Sequence, residues 1–79
     1  MGTAPKRTYN YMVIFEKEAD GGYHASCPAL KGCHSQGDSF EEASANISEA
    51  IALYIESLQA DRERVPENSL IVQQVCVSV

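Results

Sequence analysis

Seventy-nine residues, 44% of them hydrophobic, suffice for one two-layer domain, since a chain near this size buries roughly 60% of its unfolded surface. Eleven acidic against six basic residues give a formal charge of −5, the wrong sign for an isolated domain that must neutralise phosphates, which argues against direct nucleic-acid binding. No apolar run approaches the ~20 residues of a membrane span, the opening "MGTAPKRTYNYMVIF" lacks a signal-peptide core, and the cysteines number three, so a cytoplasmic chain with reduced thiols is expected.

Residues 1–8 are polar, carry Pro5 and show no period, and read as a flexible tail. From 9 to 18 the chain alternates, with Tyr9, Tyr11, Val13 and Phe15 on one side and Asn10, Met12, Ile14 and Glu16 on the other, which predicts a strand. "ADGG" at 19–22 supplies residues that tolerate positive φ, so a hairpin into the strand Tyr23 to Cys27 is expected. Pro28 ends that strand, and Cys33 to Gly37 can form a third after a connection that needs positive φ at Gly32 and Gly37. Ser39 followed by Glu42 is the capping-box pattern: the serine oxygen accepts an orphan amide and Glu42 returns to the serine amide. Phe40, Ala43, Ile47, Ala50, Ile51, Tyr54 and Leu58 then recur every three or four residues, one stripe over about five turns.

The helix is expected to end in "QADRERVP", where Arg62 and Arg64 suit its negative end and Pro66 disfavours helix at Val65. Leu70 to Val79 is rich in β-branched residues, with Val75, Val77 and Val79 on one side, and predicts a closing strand. The order is therefore βββαβ, an α+β domain of two layers with a four-stranded sheet and one helix on one face. Such a sheet leaves Met12 and Ile14 on its uncovered side and has open edges, which predicts a homodimer or tetramer.

Cys27, Cys33, His24 and His34 invite a zinc reading. The C-x5-C-H spacing is not a usual ligand pairing, and on strands His24 diverges from Cys27 and Cys33 from His34. Small buried thiols and surface histidines explain them better, and neither a metal, a cofactor nor a cysteine nucleophile is expected. A βββαβ order also begins the ribonuclease H arrangement, yet the middle of the first strand, Met12 to Phe15, holds no acid for magnesium. Glu42, Glu49, Glu56 and Glu63 fall opposite the apolar stripe, as on any solvated helix face. The connection "CPALKGCHSQGDS" reads equally as a Pro/Gly-punctuated turn or as a recognition surface presenting an exposed Leu30, Lys31 and His34.

Gly21, Gly22 and Tyr23, then Pro28, Leu30, Gly32 and Cys33, then Gly37, Asp38 and Ser39, then Glu41, Glu42 and Ala43 together resemble the signature of the HicB-type antitoxin family. The likeness spans roughly residues 9–79, which it implies to be a single antitoxin domain. It implies a truncated ribonuclease H-like fold in which the last strand lies parallel beside the first, making the sheet mixed. It also implies a non-enzymatic role: binding and neutralising a small, basic, mRNA-cleaving toxin of the HicA type, a partner the acidic balance suits. On that reading Pro28, Leu30, Lys31 and His34 contact the partner, while Gly21, Gly22, Gly32, Gly37, Ser39 and Glu42 hold the fold. Many members of the family continue into an operator-binding segment; this chain stops at Val79, so no operon repression is expected of it. The competing expectation is a degenerate ribonuclease H-like enzyme or a small-ligand binder using the 27–38 loop.

Overall fold

Alternation on the first strand and the 3.6-residue stripe on the helix meet in one core. A computed structural model describes residues 7–79, so most of the expected N-terminal tail, residues 1–6, lies outside the described residues. The elements are β1 (Ile14–Lys17), β2 (Tyr23–Ser26), β3 (His34–Gly37) and α1 (Phe40–Ala60). The three strands form one antiparallel sheet in the order β1-β2-β3, with Phe15 opposite Ala25 and Ala25 opposite Ser35. The helix packs chiefly on β3 and β2.

The first hairpin closes through the Glu18 N–H donating to Gly22 O (2.7 Å) and the Gly21 N–H to Glu18 O (3.0 Å). Gly21 takes φ of +98°, and Asp20 Oδ1 accepts from the Gly22 N–H at 3.1 Å, a side-chain-closed turn that explains the "ADGG" sequence. Between β2 and β3 the chain makes two consecutive tight turns: Leu30 N–H to Cys27 O and Cys33 N–H to Leu30 O, both 3.0 Å, under the bridging Cys27 N–H to Cys33 O bond at 2.9 Å. Gly32 sits at φ of +78° in the second of them.

Ala25, Cys27, Leu30, Cys33 and Ile47 form the buried centre, and Tyr11, Val13, Phe15, Ala50, Ile51 and Tyr54 pack around it. Phe40, at the start of α1, keeps 47% of its surface exposed but packs its ring on Phe15 at 4.6 Å and edge-on to Tyr23 at 6.1 Å. Ser39 Oγ accepts from the Glu42 N–H at 3.1 Å as expected. The return bond goes elsewhere: Glu42 Oε1 accepts from the Asp38 N–H at 3.3 Å, not from that of Ser39. One more orphan donor is thereby satisfied ahead of the helix.

Three expectations are corrected, and a fourth is not met within the single chain. Gly37 is not a positive-φ position; Gly21 and Gly32 are the glycines that are. What Gly37 supplies is room, because a Cβ there would stand 2.5 Å from the Ala43 amide nitrogen. Arg62 and Arg64 lie beyond the last helical turn and do not decorate it. Arg62 instead takes the left-handed conformation (φ of 56°), with its N–H on Gln59 O at 3.1 Å and the Glu63 N–H on Leu58 O at 2.8 Å, so a Schellman closure stops the helix before Pro66 can. The first strand is shorter than the alternation predicts: a ladder needs a neighbour, and β2 ends before Pro28. Lastly, residues 70–79, the expected closing strand of a mixed four-stranded sheet, belong to no sheet in this structure and are exposed throughout. Strand-forming composition provides side chains that suit pairing; it does not provide the partner strand.

Candidate functional site

Pro28 and Lys31 stand at the exposed corners of the β2–β3 connection and His34 opens β3 on the exposed side. With His24, Ser26 and Gly32 they border a shallow, largely apolar depression of about 270 Å3. The His24 and His34 rings, diagonal neighbours across β2 and β3, lie 5.5 Å apart on the face away from the helix. The floor rests on the core: Cys27 and Leu30 are each 1% exposed, and the Tyr54 hydroxyl on the helix donates to Lys31 O at 2.9 Å. Tyr54 stood in the apolar stripe; its ring fulfils that expectation, and its hydroxyl tethers the loop, a role that only the folded geometry discloses.

Leu30 departs from its expected exposure. The paired turns on either side of it fold its side chain inward beneath the helix, so it is core and not surface. The exposed side chains of this corner are therefore Pro28, Lys31 and His34, with Leu30 buried beneath them.

Cys27 and Cys33 point into the core and the histidines away from it, as the strand parity of these residues required. Among the described residues no three or more His, Cys, Asp or Glu side chains gather as a metal site. Burial pushes the Cys27 thiol up, against weaker opposing bonds from the Leu30 and Ala29 amides, and burial likewise pushes Cys33 up. A thiol raised in this way stays protonated in the fold and becomes a poor nucleophile. Native protein at neutral pH should accordingly consume thiol reagent rapidly at the exposed Cys76 alone, and at all three cysteines once unfolded. The same shift carries a pH signature. The folded chain holds protons that the unfolded chain releases, so this stabilisation is complete below the ordinary thiol pKa of about 8.5 and is lost as pH rises through and above it. Melting followed from neutral to alkaline pH checks the sign, with a Cys27→Ala/Cys33→Ala chain showing a shallower decline.

At the opposite end of the sheet Glu18, Asp20, Asp38 and Glu42 surround a polar hollow of about 460 Å3. Two of these carboxylates already accept backbone amides, Asp20 from Gly22 and Glu42 from Asp38, so the hollow is built largely from turn and cap. A third feature clamps the stretch before β1 to the segment after the helix. Asn68 Oδ1 accepts from the Met12 N–H at 3.0 Å, the Tyr11 hydroxyl donates to Pro66 O, and Arg7 reaches Glu67 at 3.3 Å. Burial raises the Tyr11 phenol, which keeps that donor protonated.

Residues 11–77 match the model of the HicB-like antitoxin of bacterial toxin–antitoxin systems. A UPF0150 protein of Synechocystis is 62% identical over 79 residues, the whole of both chains. A UPF0150 protein of Thermoplasma acidophilum is 48% identical over 59 residues, 75% of this chain and 86% of its own. One from Helicobacter pylori is 56% identical over 48 residues, 61% of this chain and 65% of its own.

Proposed function

The chain belongs to the HicB-like antitoxin family of bacterial toxin–antitoxin systems, and from that membership we propose that it binds and neutralises a small, basic, mRNA-cleaving toxin of the HicA type through protein contacts. The family role is non-enzymatic, and the reading needs no cofactor. The observation that carries it is the apolar depression beside Pro28, Lys31 and His34, set on buried core residues, in a chain of formal charge −5. Charge of that sign steers a basic protein toward the complex and weakens with salt, whereas a desolvated apolar centre gives the contact its lifetime. The described residues include no helix long and apolar enough to cross a membrane, and the proposed place of action is the cytoplasm, where the toxin's messenger substrate is.

Two finer features belong to the same reading. The domain is a truncated ribonuclease H-like fold whose fourth strand, residues 70–79, forms when those residues reach a sheet edge. It works as a homodimer or tetramer, because Ile14, on the uncovered side of the sheet, and Met12, just ahead of β1, remain 44% and 40% exposed.

Co-expression with the small basic protein encoded beside its gene tests the role. The wild-type chain should restore growth. A Pro28→Asp/His34→Glu chain, altered only at exposed positions, should stay folded and fail to protect. Failure of the soluble wild type to restore growth would refute the antitoxin role; rescue by both chains would keep the role and move the contact away from this corner.

A further inference from the structure

Residues 70–79 carry strand chemistry without a strand's partner. Ile71, Val75 and Val77 are 93%, 68% and 71% exposed, and with Val79 they share one face of an extended segment. Among the described residues no backbone hydrogen bond outside the helix and sheet reaches beyond Glu63. The shape of the molecule records the same fact. A compact domain of this length has a radius of gyration of roughly 12 Å, whereas this chain measures 15.5 Å with a long axis of 61 Å against 29 and 19 Å. Ten extended residues span about 33 Å, enough to account for the excess length.

A matching vacancy lies nearby. β1 pairs with β2 alone, so the other edge of Ile14–Lys17 offers unpaired backbone groups. The clamp described above fixes how the C-terminal segment approaches: Pro66 stands by Tyr11 and Asn68 by Met12, so both stretches run in the same direction just ahead of that edge. Beyond Asn68 the segment leaves its own β1 instead of continuing along it. An open apolar strand and an open edge on the same molecule, both in excess of what the chain itself joins, are complementary between two copies. A two-fold arrangement closes them reciprocally and leaves no edge free for further growth.

We propose that two copies of this chain exchange their C-terminal segments, each adding residues 70–79 as the fourth strand beside the partner copy's β1. Ile71, Gln73, Val75, Val77 and Val79 then turn toward the core layer and Val72, Gln74, Cys76 and Ser78 away from it, and the exchanged strand abuts the exposed Met12 and Ile14. The inference concerns assembly of the chain alone and stands or falls independently of any toxin.

Sedimentation and pulsed dipolar spectroscopy on the full chain test it. Wild type should sediment as a dimer or a multiple of one, and Val75→Lys/Val77→Lys should halve the sedimenting mass or more. For the distance measurement, the buried Cys27 and Cys33 stay unlabelled, and spin labels go on Cys76 of one population and on the Lys17→Cys thiol, in a Cys76→Ser background, of another. Mixed and co-refolded, these should give a short distance, whereas a chain carrying both labels, diluted in unlabelled protein, should give a long one. A monomeric wild type, an oligomer that survives the paired lysines, or a short distance within the diluted, doubly labelled chain would overturn the exchange. The last result would assign the fourth strand to the chain's own edge.

Discussion

Leu30→Asp should unfold the protein. Leu30 is 1% exposed, and it is one of seven buried apolar residues among the described residues. Truncating a buried leucine to alanine costs about 2–5 kcal/mol, against a total stability of roughly 4–12 kcal/mol for a domain of this length. A carboxylate at the same place adds the cost of an unpaired buried charge. Leu30→Ala should therefore fold with a much lower melting temperature, and Leu30→Asp should show no cooperative melting transition at neutral pH. A Leu30→Asp chain with wild-type circular dichroism and melting would return this side chain to the surface and undo the account of the loop.

Gly37→Ala should weaken the fold for the opposite reason. Its Cβ would lie 2.5 Å from Ala43 N, 2.9 Å from the Glu42 carbonyl carbon and 3.0 Å from Ala43 Cα, all of them backbone of the capped first turn that cannot rotate aside. Overpacking of this sort costs about 1–3 kcal/mol, through displacement of the helix from β3. Gly22→Ala is the internal comparison, because its nearest neighbour would be Gly37 O at 3.2 Å, a contact that a small shift relieves. Denaturant midpoints should thus fall substantially for Gly37→Ala and slightly for Gly22→Ala; equal midpoints for Gly37→Ala and wild type would mean that the helix start is not held as described.

What could be read in advance follows a physical line between local and non-local information. The helix from Phe40 was legible because cap and stripe are encoded within a few residues of one another, and the alternation of Tyr11, Val13 and Phe15 with Met12 and Ile14 correctly sorted half-buried from exposed side chains. The divergence of His24 from Cys27, and of Cys33 from His34, needed only strand parity. Ile55 escaped the stripe although it is buried, since it lies beside Ile51 and Tyr54 where the helix turns more apolar surface inward than one narrow row. Leu30 was misplaced because a connection rich in Pro and Gly suggests exposure, while its inward turn depends on hydrogen bonds among Cys27, Leu30 and Cys33. Gly37 carried the right residue for a reason that no local rule shows, the approach of a helix backbone. Residues 70–79 were legible as strand-forming but not as paired, because the partner of a terminal strand is a matter of distant chain or of another molecule.

Cleavage of RNA by the purified toxin, titrated with this chain, tests the central claim most directly. Neutralisation by protein contact predicts that cleavage falls in proportion to added chain and ceases near one chain per toxin, in a complex whose association slows as salt is raised. Undiminished cleavage in the presence of a severalfold excess of folded chain, at low salt, would contradict it.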